Sequence, residues 1–203
     1  MPEAPNGAIR RAERSEHTAL AAMLARAFFD DPVTGWVCRP DRLRPRMLER
    51  FFGTRLKQLG RHGEIWTTDG LESAAVWAPP DGWKTTVGED VDLTRSQLHP
   101  RLAWRLPLVV RGLLGIQAKH PPQPPHWYLA ILGTEPAAQG RGLGSAMLGP
   151  ILDECDRDGV PAYLESSKER NVAFYGRHGF RVTEELRLPR GPRVWLMWRE
   201  PRG

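Results

Sequence analysis

The segment Gln139-Gly140-Arg141-Gly142-Leu143-Gly144 constrains this chain more than any other part of it. Three glycines in six residues lie between a strand-like run, His126 to Thr134, and a helical pattern from about Gly142 to Asp158. A helix that opens out of such a loop is an anion site. Its first N–H groups have no intrahelical partner, and the helix dipole adds partial positive charge. A phosphate placed there accepts several backbone hydrogen bonds. Glycine lets the backbone reach positive φ and lets a ligand come close. The implied ligand carries phosphates.

Three ligand classes compete for such a loop. A nucleotide hydrolase needs a Lys-Ser/Thr pair at the last glycine, and here Gly144 is followed by Ser145-Ala146. A dinucleotide site needs Gly-x-Gly-x-x-Gly directly after the strand and an acid about 20 residues on. Glu165 stands near that distance, but the third glycine is misplaced and Glu135-Pro136-Ala137-Ala138 intervenes. Gln139, Gly142 and Gly144 fit the Gln/Arg-x-x-Gly-x-Gly signature of acetyl-CoA-dependent acyltransferases.

The remaining composition narrows the class. A chain of 203 residues supports one domain with a real core. The stretch of about 82–125 is expected to be a variable helical insertion with a stiff proline-rich connector, Pro121 to Pro125. No run of about 18 apolar residues occurs, so no membrane span is expected. The start, Met1 to Asn6, has no signal-peptide pattern, and a cytoplasmic location is expected. Cys38 and Cys155 make neither a disulfide framework nor a metal-ligand spacing, and no metal is expected. The net charge of +5 suits an anionic cosubstrate. The basic stretches, Arg42 to Arg50 and Arg187 to Arg193, are interrupted by apolar or acidic residues and read as solvated faces, not a nucleic-acid stripe.

Hydrophobic spacing and turn residues order the elements. Ala8 to Ala12 reads as a strand, and Ser15 as an N-cap before a helix through about Phe29. Asp30-Asp31-Pro32 ends that helix. A second helix spans about Leu43 to Leu59. Glu64 to Thr68 and Ser73 to Ala78 form a hairpin around Asp69-Gly70. A helical pattern from Arg101 to Lys119 is interrupted at Pro107. After the glycine-rich helix come a strand, Ala162 to Ser166, and a short helix, Asn171 to His178, closed by Gly179. Two strands, Arg181 to Leu188 and Arg193 to Arg199, end the chain.

The short helix narrows the ligand. Asn171-Val172-Ala173-Phe174-Tyr175 followed by Gly179-Phe180, after Gln139 to Gly144, resembles the core of the GNAT superfamily of N-acetyltransferases. Phe28 to Pro32, Ala75-Val76-Trp77, Val160 to Ala162, Leu164 to Ser167 and Gly191-Pro192-Arg193 also resemble its puromycin N-acetyltransferase branch. The antibiotic-modifying enzyme has an aromatic residue where Asp31 stands, and a common valine is Thr134 here.

The resemblance implies an α/β fold: a mixed, strongly twisted central sheet flanked by helices, with two central strands splayed apart as the acetyl-CoA slot. It implies acetyl transfer to a primary amine of a small molecule by direct attack, in a monomer or homodimer. Acetylation of a protein N-terminus or lysine, and a non-catalytic acyl-CoA sensor, are the alternatives. Acetyl-CoA would be held by Leu132, Gly133 and Thr134, by Gln139, Gly140, Arg141, Gly142, Leu143, Gly144 and Ser145, and by Asn171. Tyr175 is the candidate general acid, also touching the cosubstrate, because a phenol stays protonated where a thiol does not. Glu165 is the candidate base. Asp30, Asp31, Trp36 and Trp77 are candidates for binding the amine, with Trp83 a further aromatic. His99, His120 and His126 lie outside every motif and receive no role.

Overall fold

The computed structural model describes residues 8–38, 42–84, 86–97 and 100–203, so His99 and the Met1–Asn6 start lie outside the described residues. Among them, seven strands make one sheet: β1 (Ile9–Arg11), β2 (Ile65–Thr68), β3 (Ser73–Ala78), β4 (Trp127–Thr134), β5 (Ala162–Ser166), β6 (Arg181–Arg187) and β7 (Arg193–Arg199). The strand order is β1-β2-β3-β4-β5-β7-β6. Every neighbouring pair is antiparallel except β4 and β5, which are parallel. A parallel pair needs a long crossover, and α6 (Leu143–Asp158) supplies it.

Helices cover both faces. On one, α6 and α7 (Glu169–Arg177) pack Met147, Leu148, Ile151 and Tyr175 onto Trp77, Leu129 and Leu164. On the other, α1 (His17–Ala27) and α3 (Arg44–Leu59) bring Leu20, Leu24, Phe52 and Leu56 onto Val76 and Ile131. Beyond them, α2 (Pro32–Val37) and α5 (Leu106–Gln117) cover Tyr163, Val194 and Leu196 on β5 and β7. Each such fully buried aliphatic side chain contributes about 1.5–3 kcal/mol of transfer free energy. No described helix is long and apolar enough to cross a membrane.

One irregularity places the site. The β3–β4 register pairs Val76 with Ile131 but Trp77 with Leu129, leaving Ala130 as a bulge. A bulge puts two consecutive residues on one side of the sheet and bends the strand. Leu129 accordingly packs against α6, whereas Ala130 and Ile131 both pack on the α1 side. At the same point β4 leaves β5: their parallel register runs from Trp127 to Leu129 against Ala162 to Leu164 and stops. The expected splay of two central strands is therefore present, and the bulge is its local cause.

Several expected boundaries are corrected. Ser15 is not the first helix's cap; it lies in a one-turn 3-10 helix, Arg14–Glu16, where Glu13 and Glu16 form the capping box. Pro32 does not merely end a helix but opens α2, with Asp31 as its N-cap accepting from Val33 N and Thr34 N. A helix, α4 (Val87–Gln97), lies where no periodicity was legible. Pro107 sits in the first turn of α5, where a missing N–H costs nothing. Helix α7 starts at Glu169, so Asn171 lies inside its first turn and Lys168 is the N-cap.

Burial also sets the acid response of the fold. His17, His126 and His178 have lowered pKa values, chiefly because burial disfavours the cation. A group whose folded pKa lies below its unfolded value stabilises the fold above that unfolded value and loses the contribution as pH falls through the folded one. The Tm is expected to fall as pH drops below about 6.5. Thermal melts between pH 8 and pH 5 check this, and a flat Tm across that window would contradict it.

Candidate active site

The glycine turn meets the cleft between the split strands. Gly140 and Gly142 both have φ of +80, a left-handed conformation that side chains disfavour. Gly142 is the N-cap of α6, and no side chain caps the helix. The first-turn N–H groups of α6 therefore remain for a ligand, in a turn that only glycine builds at low cost. A Cβ on Gly144 would stand 3.4 Å from Phe174 Cζ, so this turn also packs directly on α7. The loop is tied down around the glycines. Gln139 Nε2 donates to Thr134 O at 3.2 Å, Arg141 pairs with Glu72 at 2.9 Å, and Arg26 pairs with Glu135 at 2.7 Å.

The cleft measures about 520 Å³ and runs from that turn along Leu129 to Thr134 on one side and Glu165 to Lys168 on the other. Beyond Leu129 the edge of β4 that faces away from β3 has no ladder partner in β5. Backbone groups alternate along a strand, so that edge offers polar groups to an occupant. Arg170 and Arg177 add positive charge to the wall, where Lys168 is paired with Asp30. These features fit a phosphate-bearing molecule with a long, polar, narrow arm.

Where β5 leaves β4, Glu165 projects among aromatic groups. Tyr128 Oη donates to Glu165 Oε2 at 2.7 Å. His120 Nδ1 stands 3.6 Å from Glu165 Oε1, and the His120 and Glu165 side chains are 5% and 14% exposed. Trp83 stacks on His120 with ring centroids 3.7 Å apart. Burial, with Glu165 beside it, pushes the Tyr128 pKa up, so Tyr128 remains a hydrogen-bond donor.

Across the cleft, Tyr175 is buried between Phe174 and Phe180, at centroid distances of 5.1 and 5.9 Å. Burial, and secondarily Asp31, raises its pKa, so the phenol carries its proton throughout the neutral range.

The comparisons with known proteins bear on this geometry. Residues 89–180 match a family model described as the acetyltransferase (GNAT) family. A Schizosaccharomyces pombe protein named as an uncharacterized N-acetyltransferase is 27% identical over 220 residues, covering 96% of this chain and 83% of that protein. A crystal structure described as histone acetyltransferase HPA2 and related acetyltransferase, from Corynebacterium glutamicum, matches with TM-score 0.66 at 22% identity, covering 97% of each chain. Arylalkylamine N-acetyltransferase 2 of Aedes aegypti matches with TM-score 0.64 at 14% identity, covering 97% of this chain and 100% of that one. The fold is the GNAT fold, and the enzyme class is acyltransferase.

The acyltransferase gathers some of the residues that its sequence singled out and scatters others. Leu132, Gly133, Thr134, Gln139, Gly140, Gly142, Leu143, Gly144, Ser145, Glu165, Asn171 and Tyr175 all line the cleft. Arg141 is adjacent but turns its guanidinium to Glu72. Asp31 reaches the cleft, yet its carboxylate is committed to capping α2 and to the Ser167 hydroxyl. That occupancy argues against Asp31 holding a substrate ammonium. Asp30 pairs with Lys168 at 2.5 Å at the surface. Trp36 is buried between α2 and α5, its Nε1 donating to Pro189 O at 3.2 Å, and Trp77 is fully buried under α6. Neither tryptophan lines the cleft.

Other residues at the cleft received no role from the sequence. Ala27, Phe28, Ser167, Lys168 and Arg170 line it, and His120, His126 and Tyr128 gather behind Glu165. Phe28, Ser167 and Arg170 lie within segments that carry the family resemblance and Lys168 lies between two of them, but nothing in those segments marked them as cleft residues. His120 and His126 flank the proline-rich connector, and no motif marks them.

Proposed function

We propose that this GNAT acyltransferase moves an acetyl group from acetyl-CoA to a primary amine of a small molecule. The observation that carries the reading is a single cleft whose wall joins an uncapped glycine turn, a split between parallel strands and a partly buried carboxylate. Acetyl-CoA supplies the activated thioester and a thiolate leaving group. The α6 N-terminus and the turn from Gln139 to Ser145 hold its phosphates, and Asn171 bonds its arm. A free backbone N–H of β4 near Leu132 to Thr134 faces the acyl oxygen and stabilises negative charge there. Glu165 takes the proton of the incoming ammonium or amine, directly or through water, and Tyr175 gives one to the departing sulfur.

The amine class draws support from the resemblance to the puromycin branch and from the shared fold with an arylalkylamine acetyltransferase. The test is thiol release from acetyl-CoA with a panel of puromycin, phenethylamine, spermidine and lysine or N-terminal peptides. Turnover on a small amine above the peptides supports the reading. Peptide turnover alone favours a protein acceptor, and tight acetyl-CoA binding without any turnover favours a sensor.

Tyr175→Phe is expected to lower kcat about 10²-fold while leaving acetyl-CoA affinity within about twofold. Phenylalanine keeps the packing against Phe174 and Phe180 and removes only the proton donor. Single-turnover kinetics and calorimetric binding check this, and an unchanged kcat removes the assignment.

A further inference from the structure

A chain of ring nitrogens leads away from Glu165, and its geometry dictates where the protons sit. His126 Nδ1 lies 2.8 Å from Pro124 O. A carbonyl only accepts, so Nδ1 carries the hydrogen and donates to it. A neutral His126 then presents a lone pair at Nε2. His120 Nε2 lies 3.0 Å from that atom, so His120 Nε2 must be the donor. This leaves the neutral His120 with a lone pair at Nδ1, the atom that faces Glu165 Oε1 at 3.6 Å. Two acceptors confront each other across this gap, so a proton delivered to Glu165 meets a second acceptor at His120 Nδ1.

We propose that His120, held in its Nε2–H form by His126, is the resting place of the proton that Glu165 removes from the amine. The inference rests on the reading of Glu165 as the base. The substrate N–H bond breaks and an O–H bond forms on Glu165; that O–H then breaks and an N–H bond forms at His120 Nδ1. Glu165 returns to a carboxylate beside an imidazolium, and the amine nitrogen keeps its electron pair for the acyl carbon. After product leaves, the proton returns through Glu165 to water in the open cleft. His120 touches neither substrate nor cosubstrate, so it is a positioning residue acting through Glu165.

The surroundings suit this role. His126 is kept neutral by burial, which lowers its pKa. Tyr128 and Tyr163 flank His120 edge-on at centroid distances of 4.8 and 4.7 Å, and Trp83 covers its face at 3.7 Å. Of the other charges nearby, Asp81 pairs with Lys84 and Lys119 pairs with Glu184, each at 2.6 Å. Arg55 acts on Tyr128 from α3. Glu165 is thus the charged group in direct contact with the His120 ring.

Two measurements test the proposal. First, ¹⁵N-resolved imidazole spectra of the wild-type protein at pH 8.5 are expected to show His120 protonated at Nε2 and bare at Nδ1, with His126 protonated at Nδ1. The opposite tautomer of His120 overturns the proposal. Second, kcat is followed against pH for the fastest amine of the panel in wild type, His120→Gln and Glu165→Gln. His120→Gln keeps an N–H for His126 but no titrating ring. Its plateau kcat is expected to fall about tenfold, and its acid limb to move to lower pH. An acid limb that stays in place overturns the relay while a low kcat in Glu165→Gln leaves the base reading standing. A Glu165→Gln enzyme with wild-type kcat overturns both. A His120→Gln protein that fails to fold leaves the tautomer measurement to decide.

Discussion

Glu165→Gln is expected to lower kcat by about 10²- to 10⁴-fold, the range that a positioned base contributes. The substitution keeps the shape of the side chain. The amide oxygen still accepts from Tyr128 Oη, now 2.7 Å from Oε2. The ring packing of Trp83, His120, Tyr128 and Tyr163 around it is untouched. What is lost is the capacity to take a proton at the cleft wall. On the proposed reading acetyl-CoA docks along the glycine turn and not on the Glu165 carboxylate, so its affinity should stay within about twofold. Steady-state kinetics above the amine's ordinary protonation range, paired with binding calorimetry, make the comparison. A kcat within twofold of wild type would mean that the substrate amine loses its proton elsewhere.

Gly133→Ala is expected to destabilise the fold by about 1–3 kcal/mol through overpacking. The backbone conformation is not the obstacle, since Gly133 is outside the left-handed region. The obstacle is α1: a Cβ at this position would lie 2.6 Å from Leu24 Cδ2, 3.0 Å from Phe28 Cε2 and 3.4 Å from Ala27 Cβ. Leu24 is fully buried, and a close-packed interior leaves its side chain little room to retreat. The helix or the strand must shift, and Phe28 and Gly133 both line the cleft. Thermal melts should show a drop of about 3–10 °C for a chain of this size, with weaker acetyl-CoA binding alongside. A stable variant with unchanged affinity would show that α1 and β4 are not closely interlocked.

Much of the frame was legible because it is written locally. Strand and helix periodicity, the hairpin at Asp69-Gly70 and the glycine turn each depend on residues within a few positions of one another. The errors were also local. Glu13, not Ser15, caps the start of the first helical segment, since an acid at the right spacing satisfies the same N–H groups as a hydroxyl. Asp31-Pro32 reads as a helix stop and as a helix start, and the backbone uses both meanings in succession. Trp36 and Trp77 were plausible aromatic pocket walls because a sequence cannot say on which side of a sheet or helix a tryptophan falls.

The sequence alone determined that a helix N-terminus follows a strand through a glycine-rich turn suited to positive φ. Gly140 and Gly142 do stand at positive φ, so the shape of that turn is a property of the local chain. Tertiary structure decided what stands at the other end of the cleft. The bulge at Ala130 turns one stretch of β4 over and parts it from β5. The space behind Glu165 is filled by Trp83, His120, His126 and Tyr128, from three separate stretches of chain. No short-range pattern encodes that meeting, because it depends on how loops far apart in the chain pack over one strand, and the surroundings of Glu165 depend on it.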